Sequence, residues 1–191
     1  MVDADQDFVV ALAITLIGMP GGGKSTVGRH LSRRINVDFV DADQAVEQRI
    51  GCSIKQFFER EGEAAFRDIE SSVLEDLANN SRGVIATGGG AVLREANRIL
   101  LRDHTTVVYL RSTPEELFRR LRHDTKRPLL QVADPLARLR DLYVHRDPLY
   151  REAAHFIIET GRPSVPSLVN MILMQLELAG LIDSGGSASP R

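Results

Sequence analysis

The residues most suited to chemistry lie together near the start of the chain, in Gly18-Met19-Pro20-Gly21-Gly22-Gly23-Lys24-Ser25. This run satisfies the G-x-x-x-x-G-K-[ST] pattern in full. Glycines at Gly21, Gly22 and Gly23 let successive backbone N–H groups turn inward around phosphate oxygens. A helix starting near Lys24 adds the positive end of its dipole. The ammonium of Lys24 is placed for β- and γ-phosphates, the hydroxyl of Ser25 for a phosphate-bound divalent ion, and Thr26 follows on the first turn. Composition reinforces the reading: three of the 24 basic residues are lysines and the other 21 are arginines, so a lysine here is not incidental.

Further polar residues extend the constellation. Asp41 and Asp43 stand two residues apart after a short apolar stretch, where two carboxylates could serve a metal and an acceptor hydroxyl separately, or where one could cap the next helix. Gly88-Gly89-Gly90 follows another apolar stretch and admits close approach of a ligand to the backbone, or simply a tight turn. Arg67 sits on a helical pattern beside Glu63 and Glu70, which are equally fit to pair it at the surface. Arg146, in His145-Arg146-Asp147-Pro148-Leu149-Tyr150, reads as a residue just past a helix end.

The elements that must position these groups alternate between strand and helix, the pattern of a parallel α/β sheet. The apolar run beginning at Phe8 is read as a buried strand over Ala11–Ile17, and further strands are expected at Asp38–Val40, Gly83–Ala86, Thr106–Leu110 and Phe156–Ile158. Helices are expected over residues 24–35, from after Asp43 to Ile50, over Ser53–Arg60, Glu63–Asn79, Glu95–Arg102, Pro114–Arg122, Pro135–Val144 and Val165–Leu178. The polar, proline-punctuated stretch His123–Asp134 reads as a mobile loop. The organisation expected is a tail over 1–10, one domain over 11–182, and a disordered Ser/Gly tail over 183–191.

Composition narrows the function classes. The chain has 191 residues, fits one domain, and carries a net charge of −2, so no basic field argues for nucleic acid or an anionic membrane as partner. The single Cys52 excludes an internal disulfide framework and suits a reducing cytoplasm. The apolar run at the N-terminus is half the length of a membrane span. Five scattered histidines show no metal-ligand spacing.

In order and spacing, the P-loop, Asp41-x-Asp43, Phe66-Arg67, Gly88-Gly89-Gly90, Arg127-Pro128-Leu129-Leu130 and Arg146-Asp147-Pro148-Leu149-Tyr150 resemble the shikimate kinases over residues 12–180. The resemblance implies a three-layer P-loop kinase fold with a five-stranded parallel sheet in order 2-3-1-4-5 flanked by helices, a substrate-binding helical region near 41–70 and a mobile lid over about 123–134, and ATP-dependent phosphorylation of the shikimate 3-hydroxyl. It further implies Arg67, Arg146 and the Gly88–Gly90 turn as the acceptor site, with Asp43 orienting the hydroxyl and Asp41 with Ser25 serving Mg²⁺. Arg127 would reach the transferring phosphoryl group from the closing loop, and Arg120 and Arg162 would lie at the adenine. The implied protein is a cytoplasmic monomer. No Asn-Lys-x-Asp motif supports a GTPase. A gluconate-type sugar-acid kinase and a ligand-sensing module without turnover are the alternatives.

Overall fold

The computed structural model describes residues 8–123 and 131–184. Five strands form a parallel sheet: β2 (Ile14–Ile17), β3 (Phe39–Asp41), β4 (Val84–Ala86), β5 (Thr106–Arg111) and β6 (Phe156–Glu159). Their spatial order is β3-β4-β2-β5-β6, which is 2-3-1-4-5 when only these strands are numbered. The helices are α1 (Lys24–Arg34), α2 (Ala42–Ile50), α3 (Ile54–Glu61), α4 (Glu63–Asn80), α5 (Glu95–His104), α6 (Pro114–Leu121), α7 (Pro135–Ala153) and α8 (Val165–Leu178).

Alternation along the strands builds two cores. Ile14, Leu16, Val108 and Leu110 point to the face covered by α1 and α8, where they meet Leu31, Leu168, Ile172 and Leu176. Ile17, Val107 and Tyr109 point to the other face and pack with Leu74, Leu101, Leu117, Leu139 and Tyr150 from α4, α5, α6 and α7. Because helices cover both faces, the sheet strands read as continuous apolar runs rather than alternating ones. A third cluster, around Val46, Phe66 and Val73, holds α2 and α3 against α4 to one side of the sheet.

Three sequence-based expectations need correction. The apolar run at the N-terminus is two strands, not one: β1 (Phe8–Val10) ends at a bend over 11–12, and β2 begins at Ile14. Strand β1 pairs antiparallel with β7 (Ile182–Ser184), Val10 facing Ile182, so stretches assigned to the two tails instead form a ribbon that joins the chain's ends. Helix α7 does not stop at Val144 but continues to Ala153 through Pro148. Proline lacks the N–H that would bond four residues back, but Pro148 and Val144 are both exposed, so water can meet the freed carbonyl. Arg146 therefore lies inside a helix, not after one. The segment 124–130, most of the expected closing loop and the site of Arg127, lies outside the described residues, as does 185–191.

Ile172 on α8 is fully buried and distant from the carboxyl ends of the strands. Ile172→Ala is expected to lower the unfolding free energy by about 2–4 kcal/mol. Urea titration should show a lower midpoint with an unchanged slope, and Michaelis constants equal to those of the parent.

Candidate active site

The site is assembled at the carboxyl ends of the parallel strands, where the loops converge. After β2, the backbone takes positive φ at Gly21 (76°) and at Gly23 (85°). Gly23 is the N-cap of α1 and supplies no side-chain cap, so the first N–H groups of the helix are left facing the loop. That combination makes an anion-binding turn. Lys24 is buried and folds back over the turn, its Nζ donating to Gly18 O and to Met19 O at 2.9 Å each.

Strand β3 delivers the acids. Asp41 caps the next helix, one of the two alternatives the sequence left open, and turns its other oxygen to the P-loop. Its Oδ1 accepts from the N–H groups of Asp43 and Gln44, capping α2, while its Oδ2 accepts from Ser25 Oγ at 2.8 Å. Asp43 points into the cleft against Gly88: a Cβ on that glycine would fall 2.6 Å from Asp43 Oδ1. Burial, reinforced by the charges of Asp41 and Glu70 and opposed by Lys24, pushes the Asp43 carboxyl up to about 6.

Strand β4 runs into the three glycines, with Thr87 fixed to Leu16 O through both its N–H and its hydroxyl. Gly90 is a close approach: a Cβ there would fall 2.5 Å from both terminal nitrogens of Arg67. Arg67, on α4, is only 13% exposed; its guanidinium donates to Glu70 at 2.8 Å and to Glu63 at 3.4 Å. The ion pairs expected of a surface arginine are present, yet the side chain is packed against the glycine turn. Glu70, read from the sequence as a surface partner of Arg67, is instead buried at 3% exposure.

Arg146 reaches the same turn by way of Tyr150, one helical turn further along α7. Tyr150 donates its hydroxyl to Gly89 O at 2.6 Å, and burial raises its phenol to about 12 against the opposing charges of Arg146 and Arg67. The neighbouring Asp147 accepts from Tyr109 at 2.8 Å and pairs with Arg151 and Arg111. These contacts pin α7 to β5. Tyr109, Asp147 and Tyr150 were missed as individual roles because their partners are remote in sequence.

On the far side of the turn, Arg120 on α6 bonds Thr160 O at 2.6 Å and Ser112 Oγ at 3.3 Å, joining the loops after β5 and β6. Ser112 and Thr160 also bond one another. Arg162 is exposed on the loop after β6. Arg120 and Arg162 are thus on the β5–β6 side of the P-loop, and Arg67 and Arg146 on the β4 side.

Over the P-loop lies a cavity of about 410 Å³, lined by Pro20, Gly21, Lys24, Ser25, Asp41, Asp43 and Gly88 among others. A larger cleft of about 760 Å³ opens near Asp38, Arg82 and Gly83, before the amino ends of β3 and β4, away from the P-loop and its acids. Chemistry decides between them in favour of the smaller one. Among the described residues no group of three or more His, Cys, Asp or Glu could hold a metal, and no helix is long and apolar enough to cross a membrane.

A phosphate turn backed by acids and opening on a cavity of metabolite size, carried by this sheet order, defines a P-loop kinase of small molecules. The chain belongs to the shikimate kinase family, whose model, described as Shikimate kinase, matches residues 20–177. A shikimate kinase of Paracidovorax citrulli is 61% identical over 173 residues, covering 89% of this chain and 94% of the relative. One from Ralstonia nicotianae is 51% identical over 177 residues, covering 93% of each. Among solved structures, the shikimate kinase from Acinetobacter baumannii in complex with shikimate has a TM-score of 0.82 at 44% identity, covering 88% of this chain and 94% of that one. A gluconokinase from Sinorhizobium meliloti, at 18% identity and a TM-score of 0.52 over 87% of this chain and 92% of its own, shares the fold alone.

The Asp43 carboxyl gives a signed prediction for the metal- and nucleotide-free protein. Its folded pKa, about 6, exceeds its ordinary value of 3.8, so the folded state holds the proton more tightly. The resulting stability is full below 3.8 and is lost as the pH rises through 6, by up to about 3 kcal/mol. Asp43→Asn is therefore expected to gain thermal stability over the parent between pH 4 and pH 8. A melting-temperature difference that stays constant over this range would show that the carboxyl ionises freely.

Proposed function

We propose that the cleft transfers the γ-phosphoryl group of ATP to the 3-hydroxyl of shikimate, giving 3-phosphoshikimate and ADP. The observation that carries this reading is the convergence of Arg67, Arg146 and the Gly88–Gly90 turn opposite Asp43 and the P-loop. Arginine's planar fork suits a carboxylate, which it grips with two charge-assisted hydrogen bonds. A small acid held there presents its hydroxyls between Asp43 and the phosphate turn. The relative from Acinetobacter baumannii, solved in complex with shikimate, supports the choice of acceptor.

Asp43 accepts the hydrogen bond of the attacking hydroxyl and orients its oxygen in line with the γ-phosphorus. As the new O–P bond forms, the bond from phosphorus to the β–γ bridging oxygen breaks. The hydroxyl proton passes to Asp43 and ADP departs with the bond's electrons. A carboxyl with a pKa of about 6 is mostly ionised at neutral pH, yet basic enough to take a proton late. Lys24 and the N–H groups at the start of α1 meet charge on the phosphate oxygens. From the resemblance we assign Arg127 the same task from the closing loop, with Arg120 and Arg162 at the adenine.

Ser25 and Asp41 bring two hard oxygens within 2.8 Å at the mouth of the P-loop, a donor set that fits a small divalent cation completed by phosphate and water. We assign it Mg²⁺, which Ser25 and Asp41 would hold. When bound, the ion would neutralise negative charge on the transferring phosphate. The near-neutral net charge and the small cavity support a cytoplasmic monomer acting on metabolites rather than on nucleic acid or membrane.

A coupled ADP-release assay with Mg-ATP tests the reading, comparing shikimate with gluconate, quinate and no acceptor. Turnover with shikimate alone is expected, and rapid turnover with gluconate instead would reassign the arginines to a sugar acid. Arg67→Ala should raise the shikimate KM by roughly 10- to 100-fold, the worth of a charge-assisted pair, with little change in the KM for ATP. Arg127→Ala should lower kcat by on the order of 10³-fold while ATP still binds. An unchanged kcat would remove Arg127 from the mechanism.

A further inference from the structure

Tyr150 is fully buried and its ring packs on Tyr109, with centroids 4.9 Å apart. Packing alone would be served as well by phenylalanine. The hydroxyl, however, donates to Gly89 O, the middle carbonyl of the turn at the end of β4. The peptide plane whose oxygen is held in this way is the one that carries the N–H of Gly90. Fixing the carbonyl therefore fixes the direction of that donor, in a stretch whose three glycines would otherwise leave it free to rotate.

The same phenol oxygen faces a second element of the acceptor site. Because α7 continues through Pro148, Arg146 and Tyr150 stand four residues apart on one face of a single helix. The Arg146 and Arg67 charges both act on the phenol. Were the helix to end at Val144, this spacing would bring nothing together. Tyr150 thus bonds the glycine turn from the helix that carries Arg146.

We infer that Tyr150 is a positioning residue for the acceptor: its hydroxyl sets the peptide after Gly89 and aligns Arg146 with it. The inference rests on the proposed function for the identity of the acceptor, but not for the state of the turn. It assigns Tyr150 no contact with substrate and no part in proton transfer.

Tyr150→Phe keeps the buried ring and removes only the hydroxyl. As a control, Thr105→Val removes another buried hydroxyl, which donates to Leu101 O at 2.7 Å at the amino end of the sheet. Amide hydrogen exchange of the peptide covering 87–92 is measured first, without ligands. Exchange there should be faster by about 10-fold in Tyr150→Phe and unchanged in Thr105→Val. Calorimetric titration with shikimate should then show affinity lower by about 10-fold in Tyr150→Phe alone, with the KM for ATP unaffected. Unaltered exchange at the turn would overturn the inference whatever the acceptor proves to be. Faster exchange with unchanged shikimate affinity would overturn the positioning role. Failure of the parent protein to bind shikimate would instead defeat the proposed function, while the exchange result would still decide whether Tyr150 holds the turn.

Discussion

One hydrogen bond joins the two halves of the nucleotide end of this site: Ser25 Oγ to Asp41 Oδ2. Ser25 lies in the first turn of α1 and Asp41 at the end of β3, on opposite sides of β4 within the sheet order. Their contact depends on the register of three parallel strands, in which Leu16 and Asp41 both pair with Ala86. It also depends on Asp41 being held from behind, since its other oxygen caps α2. That cap starts α2 directly on Asp41 and turns Asp43 inward, so the spacing of the two acids is a consequence of helix capping as much as of chemistry.

The cleft then has to tolerate charge. Asp41, Asp43 and Glu70 gather on one side, and ionised carboxylates at low exposure repel one another. The protein offsets this with cations placed by acids rather than by solvent. Glu70 and Glu63 hold Arg67 against Gly90, and Asp147 is shared among Tyr109, Arg111 and Arg151 beside Arg146. Long arginine side chains lose rotamer freedom when they grip a ligand, and guanidinium groups already fixed in place have less to lose. Burial first, and the neighbouring acids second, leave the Asp43 carboxyl raised to about 6, which on the proposed mechanism makes it the better proton acceptor.

What the sequence disclosed follows from how local each feature is. The P-loop is eight contiguous residues, so glycine placement and the following helix could be read together. Strands buried on both faces announced themselves as apolar runs, and Val165–Leu178 came out to the residue because proline at its second position and the serine before it mark the start. Arg67 and Arg146 carried no decisive local signal. Family resemblance alone singled them out, since the contact of Arg67 with Gly90 and the bond of Tyr150 to Gly89 join residues that no spacing rule connects. Pro148 actively misled, because an internal proline ordinarily ends a helix. The β1–β7 ribbon was invisible for a related reason: two three-residue strands at opposite ends of the chain have neither length nor a shared turn to reveal them.

Pro148 also explains why the acceptor end is built as it is. A helix that tolerates proline must expose the turn where the carbonyl is freed, and Val144 and Pro148 are exposed. The opposite face, with Asp147 partly buried and Tyr150 wholly so, then has to supply the anchoring. Two tyrosines from different elements stack there, and each sends its hydroxyl to a different neighbour: Tyr109 to α7 and Tyr150 to the β4 turn. Buried phenols need partners, and these two bind α7, β5 and the glycine turn into one body. The gluconokinase with the same fold shows that the fold does not by itself choose an acceptor. On the proposed function the choice falls to Arg67 on α4 and Arg146 on α7, and the tyrosine pair is what fixes α7 beside the glycine turn.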